Sequence, residues 1–138
     1  LEKAEIKIIV RDFTVSGLHE KEKLLKDTCE RILKEYPRSV FKLEVIEQYR
    51  NMKEMLDQHP QVVDYALEAI RRTGLSPSRR SVRGGTDGSR LSFMGMPCPN
   101  LYAGEHAFHS KQEWVSVQDM QKAVETIVHL CMIWEEKS

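Results

Sequence analysis

The chain has 138 residues, of which 41% are hydrophobic and 30% charged, a composition typical of a soluble globular domain. Lysine and arginine together number 21, as do aspartate and glutamate, so the chain has no excess of positive charge to bind nucleic acid. No apolar run approaches the roughly 20 residues of a membrane span. The first residues are charged where a signal peptide is apolar, and Cys29, Cys98 and Cys131 are scattered and odd in number. We therefore expect a cytoplasmic protein with reduced thiols, without nucleic-acid or membrane partners.

The first part of the chain predicts a β-α-β unit. Apolar and charged residues alternate from Ala4 to Val10, which favours a strand over residues 5–13, and a similar alternation favours a second strand over residues 40–49. Between them, apolar residues at helical spacing predict a helix that Ser16 caps and Pro37 ends. Strand, helix and strand joined by short links form a β-α-β unit or half of a split one.

Helices and short strands are predicted for the rest of the chain. Asn51 can cap a short helix, and a longer helix begins at Pro60, where the missing amide does no harm, and ends at Gly74. The last helix begins at a capping-box-like pair, Ser116 and Asp119, and carries a wide apolar face. The predicted fold class is α/β, a β-α-β unit followed by helices and short strands.

The stretch from residue 83 to residue 113 has little periodicity and many chemically active groups. It opens with RGGTDG (residues 83–88), where the glycines allow a ligand or another chain to come close. Thr86 or Asp87 can cap a helix over residues 88–94, and a helix N-terminus beside an arginine suits an anion. A later loop, of the kind that often carries ligands, offers two imidazoles and two carboxylates: Glu105, His106, His109 and Glu113.

These segments together resemble a known family. RGGTDG, LSFMGMPCPNLYAG and FHSKQEWV match, in order, the C-terminal part of the aminotripeptidases of the dizinc M20 metallopeptidase family. AEIKIIVRDF near the start, EVIEQYRNM in the middle and the helix after WVSVQDM are similar to the same enzymes, so the likeness covers essentially the whole chain. It implies an enzyme that uses two zinc ions to remove the N-terminal residue of tripeptides.

The resemblance implies one zinc ligand here. The histidine of the family's H-S/G-K-x-E segment binds zinc, and that histidine is His109; the motif assigns no role to His106, although two histidines three residues apart can in principle meet one metal. The chain contains no His-x-Asp motif, and its Glu135-Glu136 pair does not correspond to the family's pair. The other ligands and the catalytic glutamate would therefore come from an upstream part of the enzyme, and none of the residues here is assigned a catalytic role.

The resemblance also implies substrate contacts. Arg11 would bind the terminal carboxylate of the substrate through two hydrogen bonds, the alternative being a solvated charge. Arg83 is the best anion contact of the cleft loop, the alternative being a salt bridge to Asp87 or another local carboxylate. Asn51 either caps a helix or lies near the substrate backbone. The residues expected to line the cleft beside Arg83 are Gly84, Gly85, Thr86 and Asp87.

The implied domain boundary follows Gly74. Residues 1–74 would be the second half of the lid, a dimerisation-type domain, with its connecting helix, and residues 75–138 the C-terminal segment of the zinc catalytic domain. The chain would then be the last third of the enzyme, with the missing N-terminal part as its partner. Alone it should be inactive, bind zinc weakly or not at all, and self-associate through unpaired strand edges.

Two alternative functions stay open. A related M20 carboxypeptidase or deacylase would use the same scaffold and would prefer acylated amino acids to tripeptides. A stand-alone, non-catalytic interaction module would bind a partner through its strand edges, and the length of the native gene separates this alternative from the peptidase.

Overall fold

The computed structural model describes residues 2–48, 50–82 and 85–138. Within them the chain forms five helices and one two-stranded antiparallel sheet, so the predicted mixture of α and β structure is confirmed. The described residues group into two compact units. One falls within Leu1–Asn51 and includes Gly85, and the other comprises Met52–Val82 and Thr86–Ser138. The assignment of residues 1–74 to a lid and 75–138 to a catalytic domain stays a prediction.

The first unit contains α1, Val15–Leu33. Its N-cap is Thr14 and not the predicted Ser16, because Thr14 Oγ1 accepts a hydrogen bond from the Gly17 amide at 3.1 Å. Asp12 supports this turn, since its Oδ1 atom accepts a hydrogen bond from the Thr14 amide at 2.9 Å. A Cβ atom on Gly17 would lie 2.4 Å from the Asp12 carboxylate, so a side chain at this position would disrupt the turn that starts the helix.

The two strands of the predicted β-α-β unit are not formed in the described residues. Residues 5–13 and 40–48 have no strand pairing, and Tyr49, the last residue of the second prediction, lies outside the described residues. Apolar side chains in both segments stay exposed: Ile6 is 81% and Val40 96% accessible to solvent. The prediction was wrong because alternation shows only which side chains share a face, whereas a strand also needs backbone hydrogen bonds to a neighbour.

The second unit is organised by the packing of α3, Pro60–Arg72, against α5, Val117–Lys137. Its buried apolar residues are Ala66 and Ala69 of α3 and Ile133 of α5. No helix in the described ranges is long and apolar enough to cross a membrane. The other elements of this unit are α2, Lys53–Leu56; α4, Asp87–Phe93; β1, Glu105–His106; and β2, Trp114–Val115.

Local sequence signals set the helix ends of the second unit. As predicted, α3 begins at Pro60 and stops before Gly74, whose φ of +81° is a conformation that favours glycine. Ser116 caps α5 as predicted. Its Oγ atom accepts a hydrogen bond from the Asp119 amide at 2.9 Å and donates one to the Asp119 carboxylate at 2.6 Å.

Two polar side chains have environments that the local sequence does not specify. Asn51 does not cap α2, whose N-cap is Met52; the Asn51 Nδ2 atom donates instead to Phe13 O at 2.9 Å. His129 of α5 is half-buried, and its Nδ1 atom is buried without a hydrogen-bond partner among the described residues. The contact of Asn51 joins residues 38 positions apart in the sequence.

Candidate functional site

A small hairpin presents the histidine of the FHSKQE segment. Strands β1 and β2 pair antiparallel, with Glu105 opposite Val115 and His106 opposite Trp114. Residues 107–113 form the loop between the strands, and His109 lies within it. Each strand is only two residues long, so the backbone pairing at the base of this loop is short.

The loop holds His109 in a restricted backbone conformation. The φ angles of Ala107 and His109 are +53° and +63°, in the left-handed region that non-glycine residues enter at a cost. Glu113 Oε2 accepts a hydrogen bond from the His109 amide at 3.1 Å, and Ala107 O accepts one from the Ser110 amide at 3.1 Å. The ring of His109 lies 3.8 Å from that of Phe108, centroid to centroid, and the residue is exposed. These contacts fix the backbone of His109 while its imidazole stays open to solvent.

His106 connects the base of the hairpin to α5. Its ring stacks on Trp114, with centroids 4.2 Å apart and an angle of 12° between the planes. Its Nε2 atom lies 3.5 Å from Asp119 Oδ2, in the first turn of α5. The hydrogen bond from Ser116, followed by the interaction with His106, lowers the pKa of Asp119 below its ordinary value. The carboxylate beside His106 is therefore ionised at neutral pH.

The described residues include only part of the glycine-rich loop. Arg83 and Gly84 lie outside them, so their predicted roles stay predictions. Gly85 belongs to the first unit. Thr86 is the N-cap of α4, but its side chain makes no capping bond, and its Oγ1 atom is buried without a hydrogen-bond partner in the described structure. Asp87 lies in the first turn of α4, where the helix dipole favours a carboxylate.

Helix α4 packs closely against the segment that follows it. A Cβ atom on Gly88 would lie 2.5 Å from Cys98 O, so no other residue fits there without a shift of the backbone. Cys98 is half-buried, and its amide donates to Ser92 Oγ at 3.0 Å. This environment is that of a packing residue.

Arg11 lines an open groove in the first unit. The groove has a volume of about 550 Å³. Lys21 contacts the same segment, because its Nζ atom donates to Arg11 O at 2.7 Å and to Asp12 Oδ2 at 2.6 Å. The bond from Asn51 to Phe13 O holds Asn51 beside the segment that carries Arg11. The apolar residues of the groove are Ile8, Ile9, Val10, Leu24 and Leu25.

Comparison with known proteins identifies the family. Residues 5–133 match the family model for peptidase family M20/M25/M40. The chain belongs to peptidase family M20. The match covers both compact units, so it includes the Arg11 segment and the His109 hairpin.

Relatives of this M20 chain are named peptidase T. Peptidase T of Caldanaerobacter subterraneus subsp. tengcongensis is 40% identical over 137 residues, which are 99% of this chain and 34% of that protein. The peptidase T of Clostridium acetobutylicum is 42% identical over 137 residues, with the same coverage. That of Fusobacterium nucleatum is 40% identical over 136 residues, 99% of this chain and 33% of the relative. The M20 chain thus spans about a third of the length of these curated relatives.

M20 peptidases generally use metal ions, and the described residues do not form a complete metal site. Within residues 2–48, 50–82 and 85–138, no group of three or more His, Cys, Asp or Glu side chains is placed to hold an ion. Tight zinc sites need about three or four ligands, and His109 offers one exposed imidazole. The ring of His106 is engaged by Trp114 and Asp119, so the two histidines do not form a shared site with nearby carboxylates.

Sequence reasoning about this M20 chain did not anticipate the residues that hold the His109 loop. Glu113 lies four residues after His109, a spacing at which a side chain can reach back to the His109 amide within one loop. Asp119 was expected only to help cap α5. Its second contact, with His106, depends on Gly104, where a Cβ atom would lie 2.5 Å from the Asp119 Cβ. No local pattern signals that approach.

Proposed function

We propose that this chain is part of a zinc-dependent aminotripeptidase, an enzyme that removes the N-terminal residue of tripeptides, and that His109 is one of its zinc ligands. The observation that carries the proposal is the ordered loop around an exposed histidine, in a chain about 40% identical to proteins named peptidase T. An exposed imidazole on a backbone fixed by Glu113 suits a metal ligand, because the donor is accessible while its position is restricted.

The role of His109 in this proposal is that of a terminal ligand. The zinc ions, when bound, would polarise the scissile carbonyl and lower the pKa of the attacking water. The described residues alone do not complete such a site, and in this proposal the remaining ligands and the general base would come from a part of the enzyme outside this chain. By itself the chain should bind zinc weakly and have no peptidase activity.

The role of Arg11 is to bind the terminal carboxylate of the tripeptide. Its guanidinium group can make two hydrogen bonds to a carboxylate, and the adjoining groove offers apolar contacts to a side chain. Asn51 lies beside the same segment and would act near the substrate backbone. Arg83 would be a second anion contact, supported by the loop of Gly84, Gly85, Thr86 and Asp87.

A His109→Ala variant of the complete enzyme tests the proposal. We expect loss of one zinc ion per chain and of most of the activity, while circular dichroism shows an intact fold, because the imidazole is exposed and contributes little to packing. His59→Ala is the matched control, since His59 lies at the N-cap of α3 and has no proposed metal role. Full activity with two zinc ions per chain in His109→Ala would overturn the assignment.

A substrate screen separates the aminotripeptidase from its M20 alternatives. The complete enzyme should cleave tripeptides much faster than acylated amino acids or peptides with a blocked N-terminus. Faster cleavage of acylated amino acids would indicate a deacylase, and release of C-terminal residues would indicate a carboxypeptidase.

A further inference from the structure

We propose that His106 is a positioning residue for His109. By stacking on Trp114 and pairing with Asp119, His106 fastens the base of the hairpin to α5 and so fixes where the His109 imidazole lies. This inference rests on the proposed role of His109 as a zinc ligand.

The His109 loop needs a restraint beyond its own hydrogen bonds. Ala107 and His109 both have positive φ angles, and such residues persist only where the surroundings hold them. The loop is closed by two strands of two residues each, and short hairpins are marginally stable on their own. A contact at the base of the hairpin therefore has a large effect on whether the strained loop stays ordered.

His106 supplies that contact at the last residue before the loop. It is opposite Trp114 in the strand register, and stacking of the two rings adds a cross-strand interaction to the pairing. The indole side chain of Trp114 is itself 55% exposed, so the imidazole covers an otherwise open ring face. The stack thus closes the loop where its backbone pairing ends.

Asp119 links this closed base to a rigid part of the fold. Its carboxylate accepts a hydrogen bond from the Ser116 hydroxyl at 2.6 Å and lies 3.5 Å from His106 Nε2. Gly104, at φ +86°, brings the start of the hairpin so near that a Cβ atom there would collide with Asp119. Helix α5 packs on α3 through the buried core. The contact with Asp119 therefore fixes the position of His106 relative to that core, and not only relative to its own loop.

Neither contact of His106 is strong alone. The side chains of His106 and Asp119 are 51% and 44% exposed, and a contact so open to solvent contributes little by itself. The imidazole of His106 makes both contacts at once, because its flat ring stacks on Trp114 while its Nε2 atom faces Asp119. His106→Phe keeps only the ring, His106→Gln keeps only a hydrogen-bonding group, and His106→Ala keeps neither.

The test compares these variants in the complete enzyme with His109→Ala and with a control, His19→Ala, which alters an exposed histidine of α1. Zinc affinity is measured by competition with a chelator, and hydrogen exchange is followed at the His109 amide. We expect His106→Ala to weaken zinc binding about tenfold, as loss of an outer-shell support does. We also expect faster exchange at the His109 amide, unchanged exchange in α3, and partial recovery in His106→Phe and His106→Gln.

The outcomes distinguish this inference from the proposed function. If His109→Ala loses zinc while His106→Ala keeps native zinc affinity and native His109 exchange, the positioning role is overturned and the zinc role of His109 stands. If His109→Ala keeps both zinc ions, the proposed function fails, and the inference that depends on it fails as well. If His106→Ala does not fold, the same two readouts in His106→Phe and His106→Gln decide, since each keeps one of the two contacts.

Discussion

Arg72 and Glu136 join the C-terminal ends of α3 and α5 through two hydrogen bonds, Nη1 to Oε1 at 2.9 Å and Nη2 to Oε2 at 2.7 Å. The pair lowers the pKa of Glu136 and raises that of Arg72, each chiefly through the hydrogen bond to the other. Near it, Tyr65 of α3 meets Trp134 of α5 edge to face, with ring centroids 4.9 Å apart. The two helices are thus joined by a charged and an aromatic contact outside their small buried core.

Replacing Arg72 with lysine should lower the melting temperature of the chain at pH 7, because lysine keeps the charge but loses the two-pronged geometry. The folded-state pKa of Glu136 is depressed, so its stabilising effect is present above the unfolded pKa and is lost as the pH falls through the folded value. The difference between Arg72→Lys and the unmodified chain should therefore shrink in acid.

Thermal melts at pH 7 and at pH 3 measure this difference. Arg71→Lys is the matched control, because Arg71 contacts Glu68 at 3.3 Å in an exposed pair on the same helix. Equal decreases in melting temperature for Arg71→Lys and Arg72→Lys would show that the contact between α3 and α5 stabilises the chain no more than an exposed pair within one helix.

The Asp12 carboxylate should titrate far below an ordinary aspartate. The hydrogen bond from Lys21, followed by those from Thr14, lowers the pKa of Asp12 from 3.8 to about 2. Its contribution to stability is present above the unfolded pKa and is lost as the pH falls from about 4 to about 2. Carbon-detected NMR titration of the Asp12 carboxyl group measures the shift directly.

Lys21→Met should return the pKa of Asp12 toward 3.8, since the hydrogen bond from Lys21 is the largest cause of the lowered pKa. Lys23→Met, two residues along the same helix, is the control and should leave the titration of Asp12 in place. An Asp12 that titrates identically with and without Lys21 would contradict the observed contact at 2.6 Å as the source of the shift.

Arg11→Lys in the complete enzyme should impair tripeptides with a free carboxylate far more than their C-terminal amides. Lysine retains the positive charge but cannot form the bidentate pair, and loss of a charged hydrogen bond corresponds to a decrease in kcat/KM on the order of 10- to 100-fold. Steady-state kinetics on matched acid and amide substrates gives the ratio. Arg38→Lys, at an exposed arginine of the same unit, is the control, and equal losses on both substrates would exclude Arg11 as the carboxylate contact.

The 138-residue chain should self-associate in solution. The described part of its first unit leaves apolar side chains exposed on segments without strand pairing, including Ile6, Ile9, Val40 and Ile46. We expect a dimer or larger species by light scattering at micromolar concentration, with less than one zinc ion per chain by metal analysis. Lysine at positions 9 and 40 should shift the species toward monomer, because a charge within an exposed apolar segment opposes its burial or strand pairing between copies. A compact monomer with stoichiometric zinc would instead indicate a self-sufficient domain.

Only part of the candidate site could be predicted from the sequence. The resemblance singled out His109 and Arg11, because the motifs around them are contiguous and distinctive. The contacts of His106 with Trp114 and Asp119 were not predicted, since neither partner belongs to a motif for binding a metal and both contacts join residues of different elements. Of the two roles left open for Asn51, helix capping was wrong, because α2 begins at Lys53 and its N-cap is Met52.

The sequence by itself determined the family and the helix ends of the second unit. Pro60, Gly74 and the Ser116–Asp119 cap act within a few residues of their own position, so the local pattern contains all the information they need. Tertiary structure alone decided whether residues 5–13 and 40–48 form strands, and it alone brought the His106 ring to α5. Strand pairing and side-chain contacts depend on which distant groups meet, and a pattern of alternating residues specifies a face without specifying its neighbour.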